Sequence, residues 1–330
     1  MRQKATQPTM MRIAIAGGGG FAYILAECIT QSANAVLVLS RRPHPEFEEN
    51  FPGCQVAVVD FGNVEELRYT LQGVDLLIST IADNEQLNLI DAARRARVRV
   101  FVPSEFEGDL AHRPTNDPLD HGSRSALDLL ERWSQSRSHN MRYTVFSCGI
   151  FMERFGPGGM ATYSMGAGCR LSTPQDYLVD IAGAEAVFVE TGRPGVRPTQ
   201  VAMTSVYDVA RFVAAAIELG PANWPREFRM RGDSVTVPGI VATCANVRGV
   251  EFTVHPLTYQ EAEAQVEESQ RSGNEHSWFY YQRLLQTANG RYHVRQTNLN
   301  DEVDQNEAIQ FRPMRFRTWL EQVWGPAALT

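Results

Sequence analysis

The sequence predicts an α/β protein, a doubly wound parallel sheet with helices on both faces and a smaller C-terminal lobe that binds a substrate. Two observations predict it. The N-terminal half alternates short apolar runs with segments of helical period, and the earliest apolar run ends in four consecutive glycines that open into an apolar-faced helix. A sheet of parallel strands joined by helices is the arrangement such alternation favours.

In chain order, residues 12–16 form a buried strand, 17–20 a glycine turn and 21–30 a helix. Strands follow at 35–39 and 55–59, a helix at 64–71, a strand at 74–81, a helix at 85–96, a strand at 99–102, a helix at 125–136 and a strand at 143–148. After Phe151 the rhythm breaks: glycines at 156–159, a Gly/Ala-rich stretch to Gly168, and Pro174, Pro194 and Pro198 read as loops over the carboxyl ends of the strands. A helix at 206–219 is capped by Ser205 before Asp208 and stopped by Gly220 and Pro221. An acidic solvated helix at 258–269 and a docking helix at 315–323 complete the reading. The expected organisation is a disordered extension at 1–10, a nucleotide-binding domain at 11–155 and a substrate lobe at 156–330, with 205–220 packing back on the core.

Composition narrows the function. The 330 residues are 43% hydrophobic and 21% charged, with no apolar run long enough to span a bilayer, so a soluble protein of the cytoplasm is expected. A net charge of -7 argues against a nucleic-acid partner. The five cysteines (Cys28, Cys54, Cys148, Cys169 and Cys244) are odd in number and widely spaced, and the seven histidines show no metal-ligand spacing, so no metal is expected. Of 31 basic residues only Lys4 is a lysine, and it lies in the polar extension. Arginine holds anions but hardly serves as a general acid or base, so a lysine-dependent mechanism is excluded.

Gly17-Gly18-Gly19-Gly20-Phe21-Ala22 satisfies G-x-G-x-x-A between strand and helix, the fingerprint of a Rossmann-type dinucleotide site. Gly17 makes the tight turn, Gly19 admits the pyrophosphate, and Ala22 packs helix on strand, while Gly20 and Phe21 open the helix whose N-terminus favours an anion. At the end of the second strand stand Ser40, Arg41 and Arg42, with no carboxylate to bind a ribose 2'-hydroxyl. Paired guanidinium groups suit the extra phosphate, so NADP(H) is the expected cofactor.

The string Val102-Pro103-Ser104-Glu105-Phe106, with the glycine turn, Ile78-Ser79-Thr80-Ile81, Ser147-Cys148-Gly149-Ile150-Phe151 and Val206-Tyr207-Asp208-Val209-Ala210, resembles the NmrA-like and isoflavone-reductase-like family of atypical short-chain dehydrogenases over about residues 12–220. The resemblance implies a cofactor lying across the strand ends beside Ser79, Thr80, Ile81, Pro103, Ser104, Phe106 and Cys148. Substrate contacts are expected at Glu105, Phe151, Met152, Phe155 and Met160, the apolar side chains among them forming with Tyr163 and Met165 a lining that suits a bulky ligand.

Two departures stand out. Glu107 replaces the glycine that usually follows the phenylalanine, and the family's catalytic lysine is missing, since the chain reads His121-Gly122-Ser123-Arg124-Ser125 there. Three readings follow. In one, His121, Asp120 or Tyr163 supplies the proton for a ketone or enone reductase. In another, hydride goes to a cationic carbon such as an iminium, Arg124 orients the substrate, and the product of a fungal alkaloid or polyketide pathway is reshaped by a redox-mediated cyclase. In the last, the chain is a non-catalytic NADP sensor, the role of NmrA-like regulators. A small hydrophobic substrate is the expected partner, and a homodimer is left open.

Overall fold

The computed structural model describes residues 10–166, 176–190, 198–309 and 311–325. Residues 1–9 of the extension, Gly168, Cys169, Pro174 and Pro194 lie outside the described residues. The chain forms two compact units. One comprises the chain up to Glu105 with His121–Phe146 and Ala210–Phe228; the other comprises Phe106–Asp120, Ser147–Val209 and the chain from Arg229 onward.

The first unit is built on β1 (Arg12–Ala16), α1 (Gly20–Thr30), β2 (Ala35–Ser40), α2 (Pro45–Asn50), β3 (Cys54–Val58), α3 (Val64–Thr70), β4 (Leu76–Ser79), α4 (Asp83–Arg95), β5 (Val100–Val102), α5 (Ser123–Ser134) and β6 (Arg142–Tyr143). The six strands pair in the order β3-β2-β1-β4-β5-β6, all parallel. Ala14 of β1 lies opposite Leu37 on one side and Leu77 on the other. The strand order reverses at β1 and β4, and a crevice opens beyond the carboxyl ends of the strands at such a switch point. Ile13, Ala14, Ile15 and Ala16 are wholly buried, as a central strand covered on both faces requires.

Three features of this unit depart from the sequence reading. The helix α2 was not expected, because its six residues are too few for a helical period; Pro45 sits in its first turn, where a missing N–H costs nothing. The strand expected at 143–148 divides at Thr144. Only Arg142–Tyr143 belongs to the large sheet, Thr144 gives its hydroxyl to Pro225 O at 2.8 Å, and a separate strand, β7 (Val145–Ser147), follows. Most other strand and helix ends shift by one or two residues.

The second unit contains far more regular structure than loops and two helices. It holds β8 (Ile150–Phe151), β9 (Val179–Asp180), β10 (Glu185–Val189), β11 (Gln200–Thr204), the start of α6 (Val206–Leu219), the end of β12 (Glu227–Arg229), β13 (Asp233–Thr236), α7 (Val237–Arg248), β14 (Thr253–Leu257), α8 (Tyr259–Arg271), α9 (Glu275–Ala288), α10 (Leu299–Asp304) and α11 (Phe316–Trp324). Two three-stranded sheets form, in the orders β14-β10-β9 and β13-β11-β8. Pro256 sits within β14, which is tolerable because β14 is an edge strand. The helix α8 is fixed by a capping box between Thr258 and Glu261.

The core of this unit is aromatic. Phe155 packs on Tyr177 and Phe316, with ring centroids 6.0 and 5.3 Å apart, and Trp324 donates its indole N–H to Phe155 O at 2.7 Å. This unit also holds buried and half-buried ion pairs. Asp176 lies 3.3 Å from Arg154 and 3.9 Å from Arg283, Arg291 reaches Glu107 at 3.0 Å, and Arg113 reaches Asp117 at 3.1 Å.

The start of α6 depends on one buried acid. Glu153 accepts from Ser205 Oγ at 2.7 Å and from the Val206 N–H at 3.0 Å, so the carboxylate, together with Ser205, caps the helix. Burial pushes the Glu153 carboxyl up from 4.5 to about 7, against the lowering effect of these hydrogen bonds. A carboxyl raised in the folded state favours folding at low pH, and this contribution is lost as pH rises from the unfolded value through the folded one. The difference is on the order of 3 kcal/mol. Glu153→Gln keeps an acceptor oxygen but cannot ionise. Thermal melts should therefore show a wild-type Tm that declines between pH 5 and 8 relative to the variant, with the variant the more stable at pH 8; parallel curves would mean the buried carboxyl does not titrate there.

Candidate functional site

In the first unit the candidate residues gather at the carboxyl ends of β1, β2, β4 and β5. The bend after β1 is the tightest point. Gly17 has φ +122, its N–H donates to Leu39 O at 2.8 Å, and a Cβ added there would lie 2.1 Å from Thr80 Oγ1. Thr80 is itself tied down, since both its N–H and its hydroxyl donate to Ala16 O, at 2.8 and 2.9 Å. Gly19 is the N-cap of α1, in extended conformation and with no side-chain cap, and the first turn contains no acidic residue. Gly20 opens the helix, while Phe21 and Ala22 are buried against the sheet. No acidic residue of its own first turn cancels the positive end of this helix.

At the end of β2, Ser40 is buried and its hydroxyl accepts from the Arg42 N–H at 3.3 Å. Arg41 projects into solvent and meets Glu85 at 3.4 Å. Beyond β4, the Ser79 hydroxyl donates to Ile81 O at 3.1 Å, which curls the strand end. After β5, Pro103 O accepts from Glu105 N–H at 2.7 Å, and Ser104 N–H donates to the side chain of Gln86, also at 2.7 Å. Gln86 and Glu105 are both buried.

The segment carrying His121 and Arg124 is also positioned in this unit. The Asp83 N–H donates to His121 O at 3.1 Å, and Gly122 packs so closely on Asp83 that a Cβ would approach its Cα to 3.0 Å. Asp83 has φ 58 and Gly122 has φ 78, so two left-handed residues lock the start of α4 to the start of α5. His121 is half-buried, and Arg124 stands exposed on the first turn of α5.

The remaining candidates belong to the second unit. Phe106, Asp120, Phe151 and Tyr163 are half-buried. Cys148 is buried, its N–H donates to Glu107 O at 2.8 Å, and its carbonyl accepts from the Thr204 hydroxyl at 2.7 Å. Its thiol lies in the interior rather than on a surface. Met152 and Phe155 are members of the hydrophobic core, and Met160 is buried too. Of the residues expected to line a ligand cavity, these three are buried, and Phe151 and Tyr163 are partly accessible. Burial, with the charge of Glu153 and the neighbouring Tyr207, raises the Tyr163 phenol above its usual range.

The sequence reading did not pick out His44, Gln86, Asp83 or Glu153. His44 lies against the glycine turn, where a Cβ on Gly18 would meet its Nε2 at 2.5 Å. The Pro43-His44-Pro45 string is the one local signal that could have marked it. The other three act through backbone partners far along the chain, which no local pattern reveals.

Among the described residues no helix is long and apolar enough to cross a membrane. Comparison with known proteins adds relatives. The chain is 24% identical over 233 residues to the oxidoreductase swnR of Arthroderma benhamiae, covering 68% of this chain and 69% of that protein. Its fold is similar to the NADPH-dependent quinone oxidoreductase QOR2 of Escherichia coli, solved with NADPH, with a TM-score of 0.63 at 17% identity, covering 95% of this chain and 100% of that one. Leucoanthocyanidin reductase from Vitis vinifera gives a TM-score of 0.68 at 12% identity, covering 97% and 100%. The family model of the NmrA-like family matches residues 9–279, from the strand before the glycine turn to α9. With that match spanning both units, the chain belongs to the NmrA-like family.

Proposed function

We propose that the protein is an NADP(H)-dependent oxidoreductase that acts on a bulky hydrophobic metabolite of the alkaloid or polyketide type. One observation carries this reading. The bend at Gly17 closes on Thr80 with no room for a side chain, and the helix end beside it carries neither a capping side chain nor an acidic residue. Close backbone approach and an uncancelled helix dipole are what a pyrophosphate needs, so the residues fit the dinucleotide.

Ser40, Arg41 and Arg42 would hold the 2'-phosphate. The Arg41–Glu85 pair is solvent-exposed, with side chains 71% and 40% accessible, so it is worth about 0–1 kcal/mol and yields readily to a dianionic group. The likeness to an oxidoreductase of a fungus and to NADPH-binding folds supports the same assignment.

Bound there, the cofactor supplies hydride, and an acceptor carbon that is already cationic, as in an iminium, needs no proton from the protein. That suits a chain whose lone lysine is Lys4. Arg124, exposed at the start of α5, orients an electron-rich group of the substrate. The Tyr163 phenol, held above its usual range by burial, keeps its proton at neutral pH and acts as a hydrogen-bond donor rather than a base. His121, anchored through its carbonyl by Asp83, presents the one imidazole of this segment. Closure of a ring after the reduction would make the protein a redox-mediated cyclase.

Two measurements test this reading. Fluorescence titration should show NADPH binding about tenfold or more tighter than NADH, and Arg41→Ala and Arg42→Ala should each weaken NADPH about five- to tenfold without changing NADH. Equal affinity for the two dinucleotides removes the assignment. Label from deuterated NADPH should appear in the product of a cyclic iminium substrate, with Tyr163→Phe costing less than about threefold in kcat because no proton is required. NADPH binding without label transfer to any of a panel of iminium and conjugated carbonyl compounds would instead identify a non-catalytic NADP sensor.

A further inference from the structure

His44 is held in one orientation by its surroundings. Prolines flank it on both sides, and Pro45 opens α2 with His44 as its N-cap residue. Its Nδ1 lies 2.8 Å from Glu46 Oε1. The opposite edge of the ring faces the glycine turn: a Cβ at Gly18 would meet Nε2 at 2.5 Å, Cδ2 at 2.7 Å and the Ser40 hydroxyl at 2.7 Å. Phe47 meets the imidazole edge-on at 5.9 Å and is itself packed against Tyr23 and Phe51. The side chain is 19% exposed, so it borders solvent without being free in it.

The chemistry of such a ring changes sign with one proton. With Nδ1–H donated to Glu46, the neutral ring offers a lone pair at Nε2, which opposes a phosphate oxygen; the protonated ring offers an N–H donor and a positive charge. The charged group in contact with it is Glu46 on its own helix; Arg41 and Arg42 lie just before it in the chain, after the end of β2, and Arg41 engages Glu85 of α4. Tyr23 is the titratable group that α1 brings to the Phe47 side of this cluster. The Gly18 backbone brings no charge.

We propose that His44 is a specificity residue for NADP(H), a third contact to the 2'-phosphate beside Arg41 and Arg42, engaged only while its ring carries both protons. The inference rests on the dinucleotide reading above. It implies that discrimination between NADP(H) and NAD(H) falls when Nε2 no longer carries a proton, with Glu46 holding the Nδ1 side of the ring. It also gives a reason for glycine at position 18, since any side chain there would displace the imidazole from the turn.

The test is the dissociation constant of NADPH and of NADH, by tryptophan-to-nicotinamide energy transfer from pH 5.5 to 8.5, for the wild type, His44→Gln and Glu46→Gln. The 2'-phosphate has its own ionisation near about pH 6, which weakens NADPH binding in acid for every variant. The expected wild-type affinity for NADPH therefore passes through a maximum and declines about tenfold toward pH 8.5, while His44→Gln shows the acid limb and no decline. Glu46→Gln, which loosens the hold on Nδ1, should weaken NADPH binding at its maximum, and NADH affinity should not change in any variant. Superimposable NADPH profiles for wild type and His44→Gln overturn the role of His44 and leave the cofactor assignment standing. A wild type without preference for NADPH at any pH overturns the cofactor assignment itself. Should His44→Gln not fold, Glu46→Gln decides alone: an NADPH profile identical to wild type counts against the proposal.

Discussion

The candidate site depends on how closely the bend after β1 approaches the end of β4. The carbonyl of Ala16 takes two hydrogen bonds from one residue, the N–H and the hydroxyl of Thr80. That double bond draws Thr80 into the space a side chain at position 17 would fill, so the chain must turn there with glycine at φ +122. From this single contact follow the path of the glycine turn, the direction of α1 and the placing of the β2 end, where Gly17 N–H reaches Leu39 O. A looser joint would leave the α1 N-terminus pointing elsewhere, and neither the arginines after β2 nor the imidazole of His44 would share a locality with it.

Much of the first unit was legible in the sequence because its central strands are covered on both faces. Burial on two sides demands uninterrupted apolar runs such as Ile13 to Ala16 and Leu76 to Ile78, and such runs are visible without any partner. The helix α6 was legible to the residue for a different reason: glycine and proline end it, and a serine precedes it. What actually holds its first turn was not legible, because Glu153 lies about fifty residues upstream and reads locally as one more surface acid. The second unit escaped for a related reason. Its strands are two to five residues long, Val254 of β14 is exposed, and β14 contains a proline, so neither alternation nor continuous burial marks them.

The site residues divide along the same line. The glycine turn and Ser40-Arg41-Arg42 were legible because spacing from a well-marked strand is enough to place them. Met152 and Phe155 show the opposite case: an apolar side chain after a strand reads identically whether it faces a ligand or the core, and here the aromatic core claims both. Gln86, buried and accepting from Ser104 N–H, has no sequence signature, because a glutamine on an amphipathic helix is ordinarily solvated. That the chain holds a single lysine, Lys4, is by contrast read from the sequence directly.

The buried ion pairs of the second unit have a consequence for how this chain can vary. A lysine placed in an interior can shed its proton when its partner is lost; a guanidinium cannot, and even Arg283, brought down to about 10 by burial and the nearby Arg154, stays charged at neutral pH. Asp176 answers two such cations, so its replacement by a neutral residue would take a carboxylate from both at once, whereas loss of either arginine alone leaves a matched pair. Descendants of this sequence should therefore exchange the arginines before the aspartate, and a lineage that abandons Asp176 must rebuild the whole triad in concert.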